Sequence, residues 1–522
     1  MSILLWTLAL LLGAVLLAAV ARRIGAPSPS LLALGGVVVA LLPNGPRISL
    51  EPDLALALFV APVLLDAAFD SSLRDLRENW LPVTCLVFIA VAVTTSAVAL
   101  VAHWLVPAMP WAVAFTLGAA VAPPDAAAAT AVLREVRLPY RLLVILEGES
   151  LLNDASALLI YRLAIGAAFA HADDALGAAS TLAFVLLGSV TLGVLFAFVF
   201  GNVIHRFSHV PSSIVLQFIG TFGIWILADQ LALSGVLVTV TFAIVLSRRS
   251  AMPAAVRVPS YAVWEAAVFV LNALAFILVG LELGPIMDRL GRAHHIQYFV
   301  FAIAILATVI LARTGWVMTY NIALRLTNRV LGKHTPRAMA PPPFKRSLLV
   351  AWCGMRGIVT LAAALALPDG SGTAPAFPYR DLIVLTAFSV VLGTLIIQGL
   401  TLRPLVMMLG LDDDGPVESE IRTGRKEMFR AALESLGEHD TEVAAALRRE
   451  YSELLERVDG VSAGLLPKAR QTEIALRTAA RTAAREALNV LRLTGAIGDV
   501  AYQQLEAELD MVELAAEVRN RW

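Results

Sequence analysis

Leu146 to Tyr161 reads LEGESLLNDASALLIY. Glu149, Ser150, Asn153 and Asp154 lie in a largely apolar run that is long enough to be a buried helix. At ~100° per residue these four side chains fall within an arc of about 140° on one face. Ser150 lies one turn from Asp154, and Glu149 one turn from Asn153. An ionisable side chain at bilayer depth costs at least roughly 2.5–3.5 kcal/mol and marks a functional site by default. A face carrying two carboxylates, a hydroxyl and an amide suits a small cation and does not suit lipid.

The rest of the chain supplies the membrane. Of 522 residues, 58% are hydrophobic and 16% charged, with a mean hydropathy of +0.77. Soluble proteins average ~25% charged, so the solvent of this chain is largely lipid. A net charge of −1 carries no nucleic-acid footprint. Cys85 and Cys353 lie in apolar stretches, which gives neither a disulfide framework nor a zinc spacing. The apolar start, Met1–Val20, has no basic region before it and no small-residue cleavage site. It reads as a first span rather than a removed signal peptide.

Apolar windows near the ~20 residues a helical span needs fall at 2–21, 30–43, 53–69, 81–105, 111–133, 141–169, 175–200, 212–232, 234–247, 263–284, 298–324, 347–367 and 381–403. This predicts about thirteen transmembrane helices. The loops after the odd-numbered spans carry Arg22, Arg23, Arg74, Arg77, Arg134, Arg137, Arg206, Arg248, Arg249, Arg257, Arg325, Arg329, Lys333, Arg337, Lys345 and Arg346. The alternate loops carry Arg47, Arg289, Arg292 and Arg380. The positive-inside bias then places the N-terminus outside and the C-terminus in the cytoplasm. Trp6, Trp80, Trp104 and Trp111 read as interface anchors. After residue 410 the character changes. Residues 411–522 are charged, with apolar positions such as Leu433, Leu436, Val443 and Leu447 at helical spacing, and read as a helical cytoplasmic tail.

Two spans carry helix breakers. Val121–Asp125 reads VAPPD, and Pro123–Pro124 forbids a regular helix. Trp352–Ile358 reads WCGMRGI, with Gly354 and Gly357 flanking Arg356. If spans 1–6 and 8–13 are inverted repeats, these breaks correspond, which is the sequence pointer to a transporter site at the repeat interface. Freed carbonyls, that of Pro124 among them, and half-helix ends would face the ion.

With GESLLNDASAL, the stretch 122–130, GMRGIVTLAAALALP from Gly354 and LNALAFILVGL from Leu271, the membrane part resembles the monovalent cation–proton antiporters whose ion-binding helix carries Asn-Asp, the NhaP/NHE sodium–proton exchangers. The resemblance spans roughly residues 1–410. It implies that Asp154 binds cation or proton in turn, with Asn153 beside it and Ser150 adding an oxygen. It implies that Glu149 pairs with Arg356, that Asp125 neutralises a half-helix end, and that Asp66 stands where the family has an ion-coordinating glutamate. Two departures follow. The family's Thr-Asp-Pro reads here as Pro124-Asp125-Ala126, and Asp66 is one methylene shorter than glutamate.

The expected protein is therefore an all-α exchanger of Na+, or Li+, for H+ in the cell membrane, with a dimer-forming scaffold by resemblance. Oxygen ligands from Asp154, Ser150, Asp66 and a carbonyl suit a hard cation. Asn153 cannot carry a proton, so one exchanging charge implies electroneutral 1:1 exchange. No cofactor is implied beyond the transported ions. Potassium–proton exchange on the same scaffold stays open. A cation channel would not need a proton-competent carboxylate between broken helices. An intramembrane enzyme lacks HExxH, and Gly148-Glu-Ser150 does not complete a nucleophile elbow.

Overall fold

In a computed structural model, the chain divides into two units, Met1–Asp413 and Asp414–Trp522. The structure describes residues 2–42, 51–125, 129, 139–169, 175–204, 206–207, 209–249, 253–289, 295–331, 342–370, 375–411, 416–437, 441–459, 479–480, 482–490, 505, 508–509 and 511. Residues 126–128 and 130–133 of the predicted fifth span, the loop residue His205, the acidic run 412–414 and most of the tail beyond 459 lie outside the described residues.

The described part of the first unit is built of helices. Besides the short helices Leu73–Glu78 and Leu283–Arg289, they are in chain order α1 Ser2–Ile24, α2 Ser28–Ala40, α3 Pro52–Asp70, α4 Trp80–Leu105, α5 Trp111–Val121, α6 Tyr140–Phe169, α7 Ala175–Ile204, α8 Val210–Gln230, α9 Gly235–Arg249, α10 Ala254–Leu281, α11 His295–Leu331, α12 Phe344–Trp352, α13 Ile358–Leu365 and α14 Arg380–Leu409. Among the described residues, eight helices are long and apolar enough to cross a membrane. Helix α6 is long enough, but Glu149, Asn153, Asp154 and Arg162 lower its hydropathy.

Lipid accounts for the surface. Leu12, Leu187, Ile219 and Ile303 are exposed on α1, α7, α8 and α11, because lipid tails solvate apolar side chains as well as a protein core does. Trp80, Trp104 and Trp111 are exposed at helix ends, where an amphipathic ring suits the headgroup region. Close helix crossings depend on small residues. A Cβ on Gly280 would strike the Ala33 carbonyl, and one on Gly36 the Ile277 carbonyl, so α2 and α10 approach backbone to backbone.

Three helices carry one π-helical turn each: Leu56–Val60 in α3, Cys85–Ala90 in α4 and Leu395–Gly399 in α14. In α3 the turn precedes Pro62, whose missing N–H leaves the Leu58 carbonyl without its usual partner. In α4 and α14 side chains from other helices serve carbonyls of the turn. Ser156 Oγ donates to the Val87 carbonyl at 2.7 Å, and Ser30 Oγ to the Leu395 carbonyl at 2.6 Å.

In the second unit, α15 Pro416–Leu436 and α16 Glu442–Asp459 pack through Phe429 and Tyr451, with ring centroids 6.2 Å apart. Phe429 on α15 and Ala444 and Leu454 on α16 are buried. Val443 is exposed, so the apolar face is rotated from the one expected around Val443 and Leu447.

Candidate functional site

The polar face of α6 meets both interrupted helices. Pro123 and Pro124 end α5 at Val121, and Ala122–Asp125 continues without helix. Asn153, fully buried, donates from Nδ2 to the Pro124 carbonyl at 2.6 Å. The predicted Pro124 ligand oxygen is thus already a hydrogen-bond partner of Asn153. Asn153 Oδ1 is buried without a hydrogen-bond partner. An orphaned acceptor of this kind costs about 1–3 kcal/mol and marks a place for a donor or a cation. Ser156 Oγ accompanies its bond to α4 with one to the Asn153 carbonyl, 2.8 Å away. Asp154 is half-buried, as is Ser150. Asp125 lies within Coulombic reach of Asp154, so two carboxylates share the site.

The second interruption faces the first. Helix α12 ends at Trp352 and α13 begins at Ile358, with Gly357 as its N-cap. The Asp125 backbone N–H donates to the Met355 carbonyl at 2.6 Å, stitching the two breaks together. A Cβ at Gly357 would fall onto the Asp125 carboxylate. That contact sets the carboxylate against the positive end of α13. In return, Arg356 donates from Nε to the Val121 carbonyl at 3.0 Å and from Nη2 to the Ala122 carbonyl at 3.1 Å, capping the negative end of α5. It also bonds the Gly354 carbonyl through Nη1. Its own N–H is held by Thr394 Oγ1 of α14 at 3.0 Å. Each broken segment thus supplies the charge that the other's helix end requires.

This arrangement corrects the expected Glu149–Arg356 ion pair. Glu149 pairs with Arg313 of α11, whose Nη1 and Nη2 reach Oε1 and Oε2 at 2.5 and 2.8 Å. Nη2 also reaches the Val350 carbonyl of α12 at 3.1 Å. Both side chains are buried. The reason is the demand of the breaks. Carbonyls freed by Pro123, Pro124, Gly354 and Gly357 occupy the Arg356 donors, and a parallel fork from a neighbouring continuous helix matches a carboxylate better. A Cβ at Gly354 would press on Arg313 Cδ at 2.5 Å, so that glycine makes room for the guanidinium rather than only bending the chain.

Asp66 is half-buried on α3 and lines a cavity of about 220 Å³ with Phe200, Gln217, Phe242, Arg257 and Trp264. Those described lining residues come from α7, α8, α9 and α10, and none from α6. Among the described residues, no group of three or more His, Cys, Asp and Glu side chains gathers to hold a metal. Sequence reading missed three contributors: Ser156, Thr394, and Tyr161, whose hydroxyl donates to the Ala363 carbonyl of α13. Only Ser156 and Tyr161 had a signal, being polar groups three and eleven residues beyond Asn153 and Ser150 in the same helix.

Residues 8–408 match the family described as "sodium/hydrogen exchanger, transmembrane". An uncharacterized Na+/H+ exchanger of Mycobacterium tuberculosis (strain ATCC 25618 / H37Rv) is 29% identical over 505 residues, covering 93% of this chain and 91% of the relative. A sodium, potassium, lithium and rubidium/H+ antiporter of Bacillus pumilus (strain SAFR-032) is 28% identical over 443 residues, covering 81% of this chain and 64% of the relative. The solved sodium proton antiporter MjNhaP1 of Methanocaldococcus jannaschii at pH 8 superposes with a TM-score of 0.57 at 18% identity, covering 78% of this chain and 99% of that one.

Proposed function

The chain belongs to the sodium/hydrogen exchanger family, and from that premise we propose that it exchanges Na+ for H+ at Asp154, the two ions competing for one carboxylate. The observation that carries the reading is the stitched crossing of two interrupted helices against the Asn153–Asp154 face of α6. Asp154, Ser150, the uncommitted Asn153 Oδ1 and the Pro124 carbonyl supply oxygens of the kind a hard monovalent cation takes. Asp66 joins them by family resemblance. Asn153 keeps the stoichiometry at one proton per cation, because an amide carries no proton through the cycle, so exchange is electroneutral. The interrupted helices are taken as corresponding members of inverted repeats. Alternating access then carries α4–α6 and α11–α14 against a dimer-forming scaffold in the cell membrane, with the N-terminus outside and the tail in the cytoplasm.

The test is dequenching of a pH-sensitive dye in proteoliposomes when Na+, Li+ or K+ is added. Wild type should respond to Na+, and Asp154→Asn should be folded and silent. Competition predicts that apparent Na+ affinity falls as pH falls, by up to tenfold per pH unit once the carboxylate is mostly protonated. Unchanged affinity across pH would sink the single-carboxylate account. A potential-dependent turnover would contradict the 1:1 stoichiometry. Potassium exchange is the second reading, favoured by the potassium that the Bacillus pumilus antiporter's name includes. A K+ response equal to that for Na+ would select it.

A further inference from the structure

Helices α4, α6 and α12 begin at one end of the bundle, where α11 approaches its own end. Together they enclose a cavity of about 130 Å³. Its outer part carries Arg141, the second residue of α6, and Arg346, the third of α12, with Ser347 beside it. Among the described lining residues there is no Asp or Glu. Arg141 donates from Nε to Asn79 Oδ1 at 2.8 Å, which holds its guanidinium in place. Buried Asn321 of α11 donates from Nδ2 to the Pro342 carbonyl at 2.8 Å and to Ser347 Oγ at 2.6 Å, and so fixes the start of α12. Helices α4 and α12 both begin without a side-chain cap, and their first N–H groups add positive potential at the same end. Further along the helices the lining turns apolar. Ile145 lies one turn beyond Arg141 and Val350 one turn beyond Arg346, and Trp316 and Val317 of α11 join them. Between the two zones, Tyr320 Oη stands within Coulombic reach of Arg141. It is buried with no nitrogen or oxygen partner among the described residues.

We propose that this cavity is a binding site for an anionic phospholipid, its phosphate seated between Arg141 and Arg346 and the start of one acyl chain against Trp316 and Val317. The charge selects an anion, because two guanidiniums and two uncapped helix starts favour a phosphate. Tyr320 Oη and Ser347 Oγ have hydroxyl protons to offer its oxygens. The surroundings select a lipid over a soluble anion. Trp80 and Phe344, two residues and one residue from the lining prolines Pro82 and Pro343, are exposed, as suits the headgroup region. The volume is below the ~300 Å³ at which pockets begin to enclose a drug-sized ligand, so the headgroup enters while the tails stay in the bilayer. A basic pocket between transmembrane helices is the form that anionic-lipid sites take. None of its described lining residues belongs to the Asn153–Asp154 face, and the inference stands apart from the antiport reading. The lipid would brace α6 and α12 against each other at the ends remote from their ion-site chemistry.

The experiment uses Cys85, which is half-buried and lines the cavity. Full-length protein in phosphatidylcholine nanodiscs is treated with N-ethylmaleimide, and the adduct at Cys85 is followed by peptide mass spectrometry. Cys353, 2% exposed, reports any unfolding in the same sample. Phosphatidylglycerol with the same acyl chains, mixed into the discs, should slow labelling of Cys85 several-fold. Inorganic phosphate should not. In Arg346→Gln the phosphatidylglycerol fraction needed for half-protection should rise about fivefold, the usual contribution of one basic residue near an anionic lipid. Arg346→Lys keeps the charge and should keep most of the protection. Arg346 is the deciding position, because Arg141 also holds Asn79 and its replacement can disturb the start of α6. Labelling equally fast in both lipids, or absent in phosphatidylcholine alone, would overturn the site. So would an Arg346→Gln protein with the wild-type gel-filtration profile and unchanged half-protection. Equal protection by inorganic phosphate would overturn the lipid and leave a soluble-anion site.

Discussion

Replacing Arg313 with alanine leaves the Glu149 carboxylate, 1% exposed, without its two charge-assisted bonds. Removing one partner of a buried pair typically costs about 3–5 kcal/mol. Glu149→Leu leaves the Arg313 cation in the same position and should cost a similar amount. Simple addition would give about 6–10 kcal/mol for both changes. The volume-conserving double variant, Glu149→Leu with Arg313→Met, removes both charges together. Its residual cost is about 1–3 kcal/mol, the price of the Val350 carbonyl losing its donor. The assay is thermal unfolding in detergent, followed by tryptophan fluorescence, with expression yield beside it. Each single change should lower the midpoint on the order of 5 °C, and the double should recover most of that. The same cycle run between Glu149 and Arg356 should show weaker coupling, because Arg356 bonds carbonyls rather than that carboxylate. A double variant as damaged as the sum, or stronger coupling to Arg356 than to Arg313, would refute the assignment.

Other substitutions read other parts of the core. Gly357→Ala drives a methyl into the Asp125 carboxylate and should abolish exchange in a flux assay while the protein remains in the membrane; retained flux would mean the contact is soft. Arg356→Ala uncaps α5 and leaves three carbonyls unserved, so its yield of folded protein should fall well below that of Asp154→Asn, as size-exclusion profiles can show. Asn153→Asp exchanges an amide donor for a second acid beside the Pro124 carbonyl, and should introduce a membrane-potential dependence of turnover, measured with potassium and valinomycin. Gly280→Val sets two methyls and a branched carbon against the Ala33 carbonyl and should lower the unfolding midpoint by several degrees without altering the ion selectivity of any surviving flux.

Much of this protein is legible in one dimension because lipid imposes a one-dimensional rule. A helix that spans must be apolar along its length, so composition and hydropathy alone reveal an all-helical membrane architecture, and the exceptions at Glu149, Asn153 and Asp154 stand out against it. Proline pairs and glycines break helices by local backbone chemistry, so both interruptions could be read at Val121–Asp125 and Trp352–Ile358. Partner choice is different, since it depends on which donors and acceptors converge in space. Arg356 is adjacent to a break and looks available to Glu149, yet the carbonyls of Val121 and Ala122 claim it. Arg313 reads as a structural arginine of a continuous helix, and only the three-dimensional packing brings its fork to the Glu149 carboxylate and the Val350 carbonyl. The same holds for Asp66, whose spacing from α6 in sequence says nothing of the cavity it lines. Residue types therefore determined the solvent, the helices and where they fail, whereas the three-dimensional crossing decided which buried charge satisfies which, because electrostatic pairing acts through space and not along the chain.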